Sequence, residues 1–154
     1  HTPRLTLMPL HTNHQEWIEY LYETKEYFLV YFRQLQLYPQ LYGFGPWLII
    51  EKNSKTIIGD TGFKGYPNQS TLDIGYNIIP NHQNFGYATE SVNALSAWAF
   101  QTGLVHRITA ACYDWNFASI SVLQKCQYQI TEKKNHIIYW QLSYVPMPNH
   151  RTQI

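Results

Sequence analysis

The feature that most constrains the fold is a short polar loop between an apolar strand and a helix, in IIPNHQNFGYATESVNALSAWAF (residues 78–100). The alternation typical of a strand runs up to Ile79, and Pro80 ends it because proline cannot donate to a sheet ladder. From Gly86 onward, the apolar residues follow the 3.6-residue period of a helix. The sequence therefore predicts a strand, a tight loop and a helix of residues 86–101.

The start of this predicted helix has the features of an anion-binding site. The first N–H groups of a helix have no partners within it, and they lie at the positive end of the helix dipole. Gly86 and Ala88 would let a phosphate approach the backbone closely. The alternative is that Gly86 only starts the helix and that Ala88 packs on the sheet. The loop is neither a P-loop nor a dinucleotide fingerprint, because it lacks Gly-Lys-Ser/Thr and a third glycine.

The rest of the sequence predicts a mixed sheet with helices on its faces, in the α/β (α+β) class. Asn53-Ser54 and Tyr66-Pro67-Asn68 are turn signals between three strand-like runs, which favours an antiparallel meander. The predicted strands are 4–10, 47–51, 56–64, 71–79, 106–113, 127–134 and 136–145, and the predicted helices are one or two in 13–35, one at 86–101 and one at 116–126.

Composition limits the possible functions. A chain of 154 residues, 45% of them hydrophobic, is expected to form one domain, residues 1–154. A net charge of +1 without a basic block gives no reason to expect nucleic acid or a membrane as a partner. Two unpatterned cysteines, no long apolar run and no signal-peptide pattern indicate a soluble, cytoplasmic protein. The histidines form no ligand pattern, so no metal is expected.

Residues 83–88, QNFGYA, resemble the Gln/Arg-x-x-Gly-x-Gly/Ala signature of the GNAT acyltransferase superfamily. Longer segments are similar to its Rim-type branch, whose named members acetylate the N-termini of ribosomal proteins. These segments are TPRLTLMPL, LDIGYNIIPNHQNFGYATESV and HRITAACYDWNFASISVLQKCQY. The resemblance implies a single GNAT-like domain with a central, mostly antiparallel sheet, which is splayed between its fourth and fifth strands and has helices on both faces.

The resemblance also implies acetyl-coenzyme A as the acyl donor. Its pyrophosphate would be held by the loop and the helix start, which are Gln83, Asn84, Phe85, Gly86, Tyr87, Ala88 and Thr89. Backbone N–H groups near Asn77, Ile78 and Ile79 are expected to face the cofactor, and one of them would stabilise the charge that develops on the thioester oxygen. The side-chain amide of Asn116 would pair with the pantetheine arm, or else cap the helix that follows it.

Transfer to an amine needs a group that accepts a proton, since an unperturbed amine is protonated at neutral pH. Asp73 matches the acidic position that commonly serves as the base in the superfamily; the alternative is a solvated carboxylate. The tyrosine that often protonates the departing thiolate is replaced by Leu123. In Rim-type enzymes the proposed donor is a serine at the position of Ser119, which also belongs to the expected cofactor site. A helix cap is the alternative role of Ser119.

Three further positions bear on the acceptor and on the fold. Asp60 and Lys64 in GDTGFKG would meet an acceptor or belong to a solvated hairpin, and the latter is the preferred interpretation. The tyrosines of YLYETKEYFLVYF would line an acceptor pocket, as the family's early helices often do, or belong to the core, and core is the preferred interpretation for most of them. Gln127 stands where the family has glycine, which makes the turn there uncertain.

The expected function is acetyl transfer from acetyl-coenzyme A to a primary amine, by direct attack in a ternary complex. The acceptor is a protein N-terminus or a small amine. One alternative is a non-catalytic acyl-coenzyme A sensor or interaction module, and another is a binder of a different phosphorylated ligand. Exposed aromatic residues on the last strands would permit a homodimer.

Overall fold

The computed structural model describes residues 2–22 and 25–146. Residues 147–154, which the sequence assigns to the same domain, lie outside the described residues. The strands are β1 (Leu5–Pro9), β2 (Pro46–Glu51), β3 (Ile57–Phe63), β4 (Thr71–Ile78), β5 (Arg107–Tyr113), β6 (Gln129–Lys134) and β7 (Ile137–Ser143). The α-helices are α1 (Gln15–Leu21), α2 (Glu26–Leu37), α3 (Tyr87–Gln101) and α4 (Phe117–Lys125).

These strands form one sheet in the order β1-β2-β3-β4-β5-β7-β6. Neighbouring strands are antiparallel except for β4 and β5, which are parallel and are joined through α3. The pairing of β4 with β5 is limited to residues 71–73 and 107–109, and beyond Asp73 the two strands separate. The predicted mixed sheet with a splay between its fourth and fifth strands is therefore confirmed.

Helices cover both faces of the sheet, as predicted. Val92 and Leu95 of α3 and Leu123 of α4 belong to the core on one face. Phe28 and Phe32 of α2 belong to a separate core cluster on the other face. In the described part of the chain, none of the helices combines the length and the apolar character needed to span a membrane.

The bounds of the observed elements lie within two residues of the predicted ones, and the differences have local causes. Gly86, which the sequence places inside the helix, is instead the residue before it, with φ of 81°. The segment 13–35 contains two helices. Gln127, where the turn was uncertain, adopts a left-handed φ of 64° between α4 and β6, a conformation that a residue other than glycine can take in a turn.

Candidate active site

The loop between β4 and α3 is held in a fixed shape by its own side chains and backbone. The Gln83 Nε2 atom donates to the carbonyl of Ile78, the last residue of β4, at 2.9 Å. Asn84 and Gly86 both have left-handed backbone, with φ of 65° and 81°. Glycine adopts this conformation readily, so Gly86 lets the chain turn directly into α3.

The first turn of α3 is open to an anion. In the described part of the chain, no side chain caps this helix. Its first i to i−4 hydrogen bond runs from the Glu90 N–H to the Gly86 carbonyl at 3.0 Å. The N–H groups of Tyr87, Ala88 and Thr89 therefore have no acceptor within the helix, and they lie next to the exposed loop.

Arg4, in the segment before β1, connects that segment to the loop. Its Nη1 donates to the Phe85 carbonyl at 2.8 Å, and its Nε pairs with Glu90 Oε2 at 2.7 Å. Its guanidinium also lies 4.5 Å from the centre of the Tyr87 ring, which is a cation–π distance. Sequence reasoning assigned Arg4 only to a strand, although the segment TPRLTLMPL, which resembles the Rim-type branch, contains it.

Glu90 is held in its charged form by these contacts. Its burial opposes charge, but Thr2 Oγ1 donates to Glu90 Oε1 at 2.6 Å and the Arg4 backbone N–H donates to it at 2.9 Å. Together with the Arg4 guanidinium, these hydrogen bonds outweigh desolvation and lower the pKa of Glu90 below its ordinary value. The loop thus rests on a charged pair and not on apolar packing alone.

The hydrogen bonds of β4 decide which of its N–H groups can face a ligand in the splay. Ile79 donates its N–H to the Ile58 carbonyl at 2.9 Å, and the Asp73 carbonyl accepts from the Lys64 N–H at 3.2 Å. Because N–H directions alternate along a strand, the Asn77 N–H also faces β3, while that of Ile78 faces the splay. The expectation that the N–H groups of Asn77 and Ile79 face the cofactor is therefore wrong, since both are directed to β3, and only that of Ile78 agrees with it.

At the start of α4, the structure separates the roles that the sequence left open for Asn116 and Ser119. Asn116 is the cap, since its Oδ1 accepts from the Ser119 N–H at 3.1 Å. Ser119 lies three residues further along, so the interpretation of Ser119 as the cap is wrong. Capping uses only the oxygen of the Asn116 amide and leaves its NH₂ group able to donate.

Tyr76 links β4 to α4 across the splay. Its hydroxyl donates to the Ser119 carbonyl at 3.4 Å. Burial raises the pKa of Tyr76 to about 12, so the hydroxyl stays protonated at neutral pH. Leu123, which replaces the family's frequent tyrosine, is fully buried and packs in the core.

A cavity of about 500 Å³ lies between α2 and the β3–β4 pair. Its walls come from α2, from the chain before and at the start of β2, from β3 and the two residues after it, and from β4; the lining residues are Tyr27, Val30, Tyr31, Gln34, Leu41, Gly45, Pro46, 60–65 and 75–77. Asp60 pairs with Asn77, and Gly62 with Gly75, in the β3–β4 register. Paired residues share a face of the sheet. The two glycines therefore lie between one end of the cavity at Asp60 and Asn77, which we call the polar end, and the other end at Lys64.

Asp60 lies at the polar end of this cavity with only 6% of its side chain exposed. The Oδ1 atom of Asp60 accepts from Lys25 Nζ at 2.8 Å and from the Tyr22 hydroxyl at 2.9 Å. The Tyr27 hydroxyl donates to the Oδ2 atom. We call these four residues the Asp60 cluster. The expectation of a solvated hairpin is wrong for Asp60, because the start of α2 covers it. Some tyrosines interpreted as core, such as Tyr27, therefore line the cavity.

Asp73 lies at the last paired position of β4 before the splay. Its Oδ2 is 2.9 Å from Lys64 Nζ, its Oδ1 accepts from Thr109 Oγ1 at 3.0 Å, and 38% of its side chain is exposed. It lines a second cavity of about 370 Å³ that shares Lys64 and Gly65 with the first. Asp73 is thus an ion-paired carboxylate beside the larger cavity, separated from it by Lys64.

Within residues 2–22 and 25–146, no three His, Cys, Asp or Glu side chains are grouped so that they could hold a metal ion. The candidate site consists of three parts: the loop with the start of α3, the splay between β4 and β5, and the cavity between α2 and the β3–β4 pair.

Solved acetyltransferase structures share this fold. A ribosomal-protein-S5-alanine acetyltransferase from Vibrio fischeri aligns with 93% of this chain and 94% of its own, with a TM-score of 0.70 and 16% identity. RimL, a ribosomal L7/L12 alpha-N-protein acetyltransferase in complex with coenzyme A, aligns with 92% of this chain and 95% of its own, with a TM-score of 0.72 and 17% identity. At these identities the likeness concerns the fold alone.

Comparison with sequence relatives and with a family model identifies the family to which the chain belongs. YjdG, an uncharacterized N-acetyltransferase of Bacillus subtilis (strain 168), is 33% identical over 99 residues, which are 64% of this chain and 59% of YjdG. YnaD of the same organism is 35% identical over 77 residues, which are 50% of this chain and 45% of YnaD. The chain thus spans about half the length of these relatives. Residues 4–129 match the acetyltransferase (GNAT) domain, and the chain therefore belongs to the GNAT family, as predicted.

Proposed function

We propose that the protein is an acetyl-coenzyme A-dependent N-acetyltransferase that acts on a primary amine. The observation that carries the proposal is that β4 adjoins both parts of the site. The open start of α3 follows the end of β4, and the splay lies along its edge. The cavity of about 500 Å³ lies on one face of β4. A donor in the splay and an amine in the cavity would meet at this strand, which allows direct attack without a covalent enzyme intermediate.

In this proposal, residues 83–89 hold the pyrophosphate of the donor at the start of α3, where N–H groups and the helix dipole favour negative charge. The Ile78 N–H, directed into the splay, stabilises the thioester oxygen as charge develops. The NH₂ group of Asn116 and the hydroxyl of Ser119 lie along the pantetheine arm. These assignments rest on the family membership and on the directions of the groups described above.

The transfer forms an amide bond between the acceptor nitrogen and the acetyl carbon, and it breaks the carbon–sulfur bond of the thioester. Asp73 takes the proton that the amine loses, directly or through water. The Ser119 hydroxyl donates its proton to the departing thiolate and recovers one from water, so that the serine is regenerated. The alternative, a non-catalytic acyl-coenzyme A-binding module, is favoured by two facts: Leu123 replaces the usual acid, and Asp73 is paired with Lys64.

Calorimetric titration with acetyl-coenzyme A, coenzyme A and ADP, beside a Gly86→Trp variant, tests the cofactor site. Binding of the acetylated donor by the wild-type protein and its loss in the variant are expected. Absence of binding by a folded wild-type protein would end the proposal. Binding of the donor without turnover of any amine would favour the non-catalytic module. Binding of another phosphorylated ligand that coenzyme A fails to displace would indicate that the protein binds that ligand and not acetyl-coenzyme A.

We also propose that residues 1–154 form one N-acetyltransferase domain that can form a homodimer. Ile130 of β6 and Tyr139 of β7 are exposed on the closing strands, with 44% and 38% of their surface accessible. Exposed side chains of this kind would permit contact between two copies of the chain. Sedimentation velocity across a range of protein concentrations would distinguish a dimer from a monomer.

A further inference from the structure

We propose that the acceptor is a small monoamine with an apolar body, and that the cavity excludes polyamines. This inference rests on the proposed function, and it concerns the chemistry of the acceptor and not the donor. Four observations carry it: the size of the cavity, its lining, the balance of its charges and the absence of a side chain at Gly75.

The size and lining of the cavity suit a small apolar body. Its volume of about 500 Å³ lies within the range of roughly 300–1,000 Å³ that is usual for small-molecule sites. The side chains of Val30, Leu41 and Pro46 contribute apolar surface, and Tyr27 and Tyr31 contribute aromatic rings. An aliphatic or aromatic group would replace water against this surface with a gain in free energy.

The charges around the cavity are already balanced. Asp60 is paired with Lys25 at 2.8 Å, and Asp73 with Lys64 at 2.9 Å. Asp60 also accepts hydrogen bonds from two tyrosine hydroxyls. A second ammonium group on the acceptor would therefore have to break a lysine–carboxylate pair or remain unpaired beside two lysines. Both alternatives are unfavourable in a partly buried site, whereas one amine attacks in its neutral form.

Gly75 creates the space where the amine would meet β4. A Cβ atom built on Gly75 meets no atom within 4 Å, so the missing side chain leaves open space in the cavity. Its partner Gly62 differs, because a Cβ there would lie 2.4 Å from the Gly45 carbonyl oxygen and 2.8 Å from the Pro46 Cα. Gly62 is therefore required by packing, whereas Gly75 is not. A glycine inside a strand often marks the close approach of a ligand.

The test measures acetyl transfer to 2-phenylethylamine, to spermidine and to a peptide with an N-terminal serine, using the full chain. We expect kcat/KM for 2-phenylethylamine to exceed that for spermidine by about tenfold or more. A preference for spermidine or for the peptide, with coenzyme A binding intact, would overturn the inference and leave the proposed function standing. Absence of coenzyme A binding would instead refute the proposed function.

Two substitutions test the structural reasons separately. A Cβ at Gly75 meets no atom within 4 Å, so Gly75→Ala adds a methyl group without a clash, and Gly75→Val adds a larger, β-branched side chain of a type that strands favour. We expect a stepwise loss of kcat/KM for 2-phenylethylamine, about tenfold for valine, at unchanged affinity for coenzyme A. Lys25→Gln leaves Asp60 without its cation, so spermidine should improve relative to 2-phenylethylamine. Equal activity of the Gly75 variants and the wild type would show that the acceptor does not occupy this cavity.

Discussion

Gly86→Ala should weaken coenzyme A binding, whereas the matched substitution Gly103→Ala should not, although both carry the same backbone cost. Gly86 precedes α3 with φ of 81°, and Gly103 follows the same helix with φ of 74°. A side chain in left-handed backbone costs about 1–2 kcal/mol. The free energy of unfolding should fall by that amount in Gly103→Ala and by at least that amount in Gly86→Ala, and each kcal/mol lowers Tm by about 2–4 °C in a chain of this size.

The two variants differ in what the new methyl group meets. A Cβ on Gly86 lies 3.3 Å from the Nη2 atom of Arg4, whose neighbouring Nη1 holds the Phe85 carbonyl. A Cβ on Gly103 meets nothing within 4 Å. Disturbing a hydrogen bond from a charged group is worth about 1.5–3 kcal/mol, and 1.4 kcal/mol is tenfold in affinity. We therefore expect the Kd for coenzyme A to rise at least tenfold in Gly86→Ala only.

Isothermal titration with coenzyme A measures the affinities, and thermal unfolding of the same samples measures the shared backbone cost. Equal weakening in both variants would mean that general destabilisation, and not the approach to Gly86, sets the affinity. Wild-type affinity in Gly86→Ala would refute the reasoning outright, because the phosphates would then lie away from the start of α3.

Three further predictions follow from single contacts. Asp73→Asn should lower kcat about 100-fold or more if Asp73 is the base, and an unchanged rate between about pH 6 and 9 would remove it from the mechanism. Asn116→Ala should lower the free energy of unfolding by about 1 kcal/mol through loss of the α4 cap, whereas Asn116→Ser should retain most of it. Because the pKa of Glu90 is lowered in the fold, its stabilisation is complete above its ordinary pKa and is lost as the pH falls through the lowered value. Unfolding followed from about pH 6 to 3 should show this loss in the wild type and less of it in Glu90→Gln.

The parts of the fold that were predictable from sequence are those with local causes. Alternation up to Ile79, the break at Pro80 and the helical period after Gly86 depend on neighbouring residues only. The element order followed from the same kind of signal along the chain. The position of the splay came from the family resemblance, since no local pattern states where two strands separate.

The missed features depend on residues far apart in sequence or on register. The Asp60 cluster brings Tyr22, Lys25 and Tyr27 onto a carboxylate more than 30 residues away, so no local pattern reveals its burial. The N–H direction of Ile79 depends on which β3 residue it faces. The sequence of a strand is compatible with either set of alternate N–H groups facing the neighbouring strand. Only the pairing in the folded structure decides which set does so.

The register of β4 also sets the distance between donor and acceptor in the proposed reaction. Backbone N–H groups lie in the plane of a sheet and side chains stand out of it, so one strand can direct the Ile78 N–H into the splay while Gly75 and Asn77 face the cavity. The bond from Gln83 to the Ile78 carbonyl ties the cofactor loop to the same strand. A slip of one residue would exchange both sets of groups at once. The β3–β4 hydrogen bonds, more than any single side chain, therefore hold the two halves of the site in place.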